Sequence, residues 1–140
     1  MFNTEVPKPF VPVIIVLVYV IRTLGPVGKP NFKFAYFDPD GNVIDQGKIV
    51  FNKKSVVWYL FGNSPRDNIV MTGIDLQNSG GQVDALKQSF FSISFTNYCK
   101  TRTTIGIRLD FQDNTNPDSP INFSSTDPQI INEPGETLLD

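Results

Sequence analysis

The residues best equipped for chemistry in this 140-residue chain are acids and amides gathered near its end. Asp110, Asp113, Asn116 and Asp118 fall within nine consecutive positions, with Asn114 between them. Hard cations take about six to eight oxygen ligands at close range, so this cluster is the candidate calcium site. A second oxygen-rich stretch, Asp38-Pro39-Asp40-Gly41-Asn42 with Asp45, reads instead as a turn. Twelve positions counted from Asp38 end on Ile49, where an EF-hand needs a glutamate. The carboxylates Asp110, Asp113, Asp127 and Glu133 could also pair for glycoside hydrolysis, although nothing in their spacing demands it.

Nucleophilic chemistry lacks its parts. Cys99 is the single cysteine, and the chain has no histidine. Lys100 and Arg102 stand close to Cys99 and would favour a thiolate, but a nucleophile also needs a base. Cys99 is therefore expected to be a packing or loop residue. The same counts exclude an intramolecular disulfide and disfavour a structural zinc site. No Gly-x-Ser-x-Gly elbow occurs, and no glycine-rich phosphate loop follows a strand. Trp58, Tyr59 and Phe61 could line a sugar-binding face, with core packing as the competing use. No enzyme is expected, and no cofactor beyond the candidate calcium.

The other distinctive stretch runs from Asp127 to Pro134. Asp127-Pro128 opens it, Glu133-Pro134 closes it, and Ile130 and Ile131 are its large apolar residues. Proline fixes its own φ, donates no backbone hydrogen bond and pushes the preceding residue toward extended geometry. These residues predict an extended, acidic strap over 127–140 that lays Ile130 and Ile131 on the body of the protein. The pattern resembles the signature of the DP-EP family, small bacterial proteins that end in a pattern like DPQI-x-NEP and have no assigned activity. The resemblance implies a small, all-β bacterial protein, and it supplies no functional residues to carry over.

The elements that must position these groups are strands. Twelve Phe, four Tyr and one Trp accompany many Val, Ile and Thr, whereas alanine occurs only at Ala35 and Ala85. The most apolar run, Val11 to Ile21, is too short for a transmembrane helix, lacks the flanks of a signal peptide, and reads as a strand buried on both faces. A terminal apolar strand is a pairing hazard unless covered. Val13, Ile15, Leu17 and Tyr19 are therefore candidate interaction residues, together with Asp127, Pro128, Ile130, Ile131, Glu133 and Pro134. Asp38-Pro39-Asp40-Gly41 predicts a hairpin turn into a strand over 42–51, with a bulge at Gly47. Phe91, Ile93 and Phe95, and then Ile105, Ile107, Leu109 and Phe111, alternate with polar residues as half-buried strands do. Gln82–Gln88 reads as one or two helical turns, and 120–123 as a short edge strand.

The fold expected is an antiparallel β-sandwich, immunoglobulin-like or similar, of about seven or eight strands. An arm over 1–10 precedes the sandwich at 11–126, and the strap follows. Charge divides unevenly: residues 1–108 hold all twelve bases against seven acids, whereas 109–140 hold seven acids and no base. Such asymmetry suggests a tail that aids solubility or meets a basic surface. A negative total with scattered bases disfavours nucleic acid as a partner. The function expected is a non-catalytic structural or interaction protein that self-associates as a homo-oligomer, through pairing of its apolar amino-terminal strand. The alternative is a small binding module for carbohydrate or calcium acting through strand-end loops. With no recognisable signal and one thiol, a cytoplasmic location is the default expectation.

Overall fold

The structure is a computed structural model that describes residues 11–135; the arm expected at 1–10 and the last five residues of the tail lie outside the described residues. Ten strands form two mixed sheets packed as a β-sandwich, and no barrel closes. They are β1 (Val13–Leu24), β2 (Pro30–Phe37), β3 (Lys48–Phe51), β4 (Ser55–Phe61) and β5 (Ile69–Gln77). β6 (Val83–Gln88), β7 (Ser92–Asn97), β8 (Thr103–Asp113), β9 (Ile121–Ser124) and β10 (Gln129–Asn132) follow. The β1 sheet has the order β2-β1-β4-β7-β6, and the β8 sheet the order β3-β10-β8-β5, with β9 also beside β8. No described helix is long and apolar enough to cross a membrane.

The core follows from the period-2 pattern. Val16, Val18 and Val20 of β1, Val57 and Tyr59 of β4, and Ile93 and Phe95 of β7 point inward from one sheet. Ile105, Ile107, Leu109 and Phe111 of β8, with Ile130 of β10, meet them from the other. Phe111 sits in an aromatic cluster, its ring 5.6, 5.4 and 5.5 Å from those of Phe34, Phe61 and Phe123. Full burial of each large apolar side chain contributes roughly 1.5–3 kcal/mol, so the two alternating strands supply much of the driving force.

Four expectations change. The sheets are mixed rather than antiparallel, because β1 runs parallel to β4 and β10 parallel to β3. The strand expected over 42–51 begins as a hairpin, with Phe37 bridged to Val43 and the Asp38 carboxylate accepting the N–H groups of Asp40 and Asn42. It then turns at Asp45–Gly47, where Gln46 (φ 53°) and Gly47 (φ 64°) are left-handed, and crosses to the β8 sheet as β3. The Gln82–Gln88 stretch holds strand β6 (Val83–Gln88) rather than helix; seven residues cannot sustain an isolated helix, and pairing with β7 decides the matter.

The fourth change concerns β1. Its edges are taken by its own chain: β2 pairs Leu17–Leu24 and β4 pairs Val13–Val18. Past Val18, Asn63 stands in for a strand, accepting the Val20 N–H and donating to the Val20 carbonyl, both at 2.8 Å. The expected burial of both faces is met on one side only. Val16, Val18 and Val20 are enclosed by the β8 sheet, whereas Val13, Ile15, Leu17, Tyr19 and Ile21 point away from it.

Candidate functional site

The Asp127–Pro134 segment is extended, but it does not lie over the sandwich as a strap. It enters the β8 sheet as β10, with β8 on one edge and β3 on the other. β9 and β10 run in line along the same edge of β8, offset by one residue: Ser124 faces Asp110, yet Gln129 faces Gly106. The extra residue is absorbed at Ser125–Pro128. There Ser125 donates its N–H to the Leu109 carbonyl at 2.9 Å and accepts the Leu109 N–H on Oγ at 3.0 Å. The Pro128 carbonyl accepts from the Ile107 N–H at 3.0 Å, so the ladder continues across a residue that cannot donate.

Each end of β10 is fixed to the opposite sheet. At the start, the Tyr36 hydroxyl of β2 donates to Asp127, lying 2.8 Å from both its carbonyl oxygen and its Oδ1. Burial, and then the hydrogen bond to this carboxylate, raise the Tyr36 pKa far above the ordinary tyrosine value, so the hydroxyl remains a donor. At the far end, Asn132 and Asn97 of β7 exchange amides, Nδ2 to Oδ1, at 2.8 and 2.9 Å. Both are fully buried, and Gln82 Oε1 accepts from Asn132 Nδ2 and from the N–H groups of Lys100 and Thr101. Glu133 is exposed, and its N–H donates to the Phe51 carbonyl. Ile130 is core, while Ile131 and Pro134 are half-buried. The segment therefore serves as a closure joining the two sheets. Tyr36, Gln82 and Asn97 had no sequence signal, because their partners lie 35 to 91 residues away.

The candidate calcium ligands are not brought together. Asp110 and Asp113 are three residues apart on one strand, which sends their side chains to opposite faces of the sheet. Asp110 bonds Arg108 and Ser124. Asp113 accepts from Arg22 at 3.0 Å and from Thr115 at 2.6 Å and is buried. Asn116 accepts the Asp118 N–H within its own loop. Among the described residues no three His, Cys, Asp or Glu side chains form a metal-holding group. The carboxylates proposed for hydrolysis are separated likewise, with Asp110 and Asp113 on opposite faces and Asp127 committed to Tyr36. Cys99 is buried, its Sγ donating to the Phe51 carbonyl at 3.4 Å, and burial raises its thiol pKa. It is a packing residue, as expected.

The Arg22–Asp113 pair ties β1 to β8 across the sandwich. Burial pushes the Asp113 pKa up, but the Thr115 hydroxyl and N–H, with Arg22, outweigh it and hold the carboxyl below its usual range. A carboxylate depressed in the folded state contributes stability above its unfolded value, near about 4, and loses it as pH falls further. Asp113→Asn is expected to cost roughly 1–2 kcal/mol at pH 7, with the gap from the parent closing toward about pH 2. Urea melts at the two pH values check this; a gap that persists in acid would assign the loss to something other than the charge.

The remaining feature is the outer face of the β1 sheet. Alternation places Val13, Ile15, Leu17, Tyr19 and Ile21 on it, and register adds Ala35 and Phe37 from β2 and Val56, Trp58 and Leu60 from β4. Val13 is 51% exposed, Ile21 48% and Trp58 40%, where the partners Tyr59 and Val57 on the inner face are fully buried. A shallow cleft of about 500 Å³ lies over Leu17, Tyr19, Ile21, Ala35 and Phe37. The Tyr19 ring meets Phe37 edge-on at 5.5 Å and leaves no room for a side chain at Gly62. The four amino-terminal interaction candidates thus share one exposed surface, and it is a face of the sheet rather than an edge.

Fold and surface together define a two-sheet all-β sandwich with one apolar outer face. No protein-family model matches the chain, and no curated protein is significantly similar to it in sequence.

Proposed function

We propose that this protein is a non-catalytic structural or interaction protein that self-associates through the outer face of its β1 sheet. One observation carries the reading: ten apolar side chains on three adjacent strands face outward, Val13, Ile21 and Trp58 exposed and the other seven half-buried. A strand apolar at both parities is the mark of a sheet covered on both sides, and the described residues supply one cover. The occupant is a second copy stacked face to face. Charges on this surface, Lys33, Asp84 and Lys87, stand at its margins, so two copies meet without burying an unpaired ion. Membership of the DP-EP family is part of the proposal and rests on the Asp127–Pro134 residues.

Size sets the expected strength. Three strands about 4.8 Å apart, read over Val13–Ile21 at about 3.3 Å per residue, give a face of roughly 14 by 27 Å. With side-chain relief this is roughly 500 Å² per copy, near the lower limit of a specific interface. The expected species is a dimer with a dissociation constant on the order of 10 µM. Sedimentation velocity from about 1 to about 300 µM should show monomer passing to dimer. Ile21→Glu, alone and with Leu17→Glu, should weaken association at least about tenfold while thermal stability holds, since a charge would be stranded in the contact. A monomer at every concentration overturns the reading. So does a loss of monomer stability in Ile21→Glu, which would mean the face is covered from within the chain.

A further inference from the structure

Beyond the apolar stripe, on the far side of Trp58, the outer face changes character. β7 carries the alternation Ser92-Ile93-Ser94-Phe95-Thr96, with Ile93 and Phe95 in the core and the hydroxyls outward. Trp58 is the chain's one tryptophan, and register sets it directly opposite Ser94. Between β4 and β6 lies a groove of about 380 Å³, whose lining includes Trp58, Lys87, Ser92 and Ser94 with Val13 and Val56.

The wall of this groove is made by an irregularity. Asp84 faces Thr96 on β7, but Lys87, not Leu86, faces Ser94, so β6 holds one residue more than β7 between the two pairs. Ala85 takes up the extra length at φ 57°, its N–H bonded to the Asp84 carboxylate at 2.7 Å. A left-handed alanine costs roughly 1–2 kcal/mol, and such strain collects at functional sites. The consequence is specific. In a regular ladder Leu86 would lie beside Ser94 on the outer face and Gln88 beside Ser92; the bulge puts Lys87 beside Ser94 instead and turns Gln88 to the side of the core residue Ile93. Gln88 reaches the other sheet, its Nε2 donating to the Thr72 carbonyl of β5 at 2.8 Å. Lys87 has no salt bridge among the described residues.

We infer that this groove is a glycan-binding site in which a pyranose ring stacks on the Trp58 indole. A pyranose has one flat C–H face for the aromatic surface and an equatorial belt of hydroxyls for Ser92, Ser94 and Lys87. A purely apolar ligand would strip water from those polar groups without replacing it. A nucleic acid strand would find a single cation on a chain of net charge −2. A few convergent polar groups around an apolar platform is the usual composition of a small-ligand site. Lys87 serves neutral and carboxylated sugars alike, the second more strongly through a charge-assisted bond. Trp58, Val56 and Val13 belong to the apolar face as well, so the site is tested on the monomer, and Ile21 of β1 lies outside the groove.

The lone tryptophan makes the test direct. Protein at about 1 µM, below the expected dimer range, is titrated with hexamers of β-1,4-linked glucose, β-1,4-linked N-acetylglucosamine and 1,4-linked galacturonate while indole emission is followed. At least one hexamer should give a saturable change with a dissociation constant on the order of 10 µM to 1 mM. Ser94→Val should weaken that binding about tenfold with the melting temperature unchanged. Lys87→Ala should weaken galacturonate more than the neutral sugars, and Ile21→Glu should bind as the parent does. No saturable change with any hexamer overturns the site. An emission change that survives both Ser94→Val and Lys87→Ala overturns it too, as stacking on any bare indole. Loss of binding in Ile21→Glu would move the effect to the contact between copies and equally end the proposal.

Discussion

Asn132→Ala is expected to lower the unfolding free energy by about 2–4 kcal/mol, among the larger losses expected of a single substitution here. Asn132 and Asn97 are both fully buried and exchange two hydrogen bonds at 2.8 and 2.9 Å between opposite sheets. Alanine at 132 leaves Asn97 Nδ2 without a partner among the described residues, and leaves its Oδ1 with only the Cys99 N–H at 3.2 Å. An orphaned buried polar group costs roughly 1–3 kcal/mol, and the vacated volume adds roughly another 1 kcal/mol. Gln82 suffers less, because its Oε1 keeps the Lys100 and Thr101 N–H groups. Urea unfolding at neutral pH measures the loss. The double variant Asn97→Leu with Asn132→Leu discriminates the cause, since removing both partners removes the orphan. It should recover to within about 2 kcal/mol of the parent, short of full recovery because the Cys99 N–H then lacks its acceptor. A loss below about 1 kcal/mol in Asn132→Ala would mean that water replaces the amide and that the pair does not hold the sheets.

How much of this was legible in the sequence depends on the range of the physics. The alternations at Ile105–Phe111 and at Ile93 and Phe95 are local and match the core faces, because a strand's period is fixed by its own backbone, whereas Phe91, read with the same face, precedes β7 and is exposed. The Asp38–Gly41 turn was legible for the same reason. β10 was not. The segment between Pro128 and Pro134 reads as an extended strap, and only the neighbouring strands β8 and β3 make Gln129–Asn132 a strand. The candidate site divides along the same line. One strand's composition groups Val13, Ile15, Leu17 and Tyr19 as interaction candidates, and in the sheet they share one outward face, Val13 exposed and the other three half-buried. That the face rather than the edge is open follows from β2 and β4 pairing, which a single-strand pattern does not encode. The calcium cluster failed because nearness in sequence was taken as nearness in space; on an extended strand, residues three apart face opposite ways. The groove at Trp58 depends on a one-residue bulge at Ala85, and nothing in Val83–Gln88 announces it.

Gly47→Ala is the second large effect expected, a loss of about 3–5 kcal/mol, and it tests the other fastening of β10. Two costs combine at this residue. Its φ of 64° lies in the left-handed region, where alanine pays roughly 1–2 kcal/mol. A Cβ there would also stand 2.5 Å from Pro128 Cβ, 3.1 Å from Tyr36 Cγ and 3.2 Å from Pro128 Cα. Neither neighbour can give way cheaply. Pro128 is a rigid ring whose carbonyl accepts from Ile107, and Tyr36 is held by its hydroxyl to Asp127. The methyl therefore drives the turn that launches β3 away from the residues that open β10. Gly41→Ala supplies the control. That glycine has φ 88° but nothing within 4 Å of the added carbon, so its alanine bears the conformational cost alone, roughly 1–2 kcal/mol. Denaturant melts of the two variants separate backbone strain from collision. Equal losses would show that Pro128 and Tyr36 yield, and that the Asp127–Pro128 end of β10 is a loose contact; a gap of about 2 kcal/mol or more would establish it as a rigid joint between the sheets.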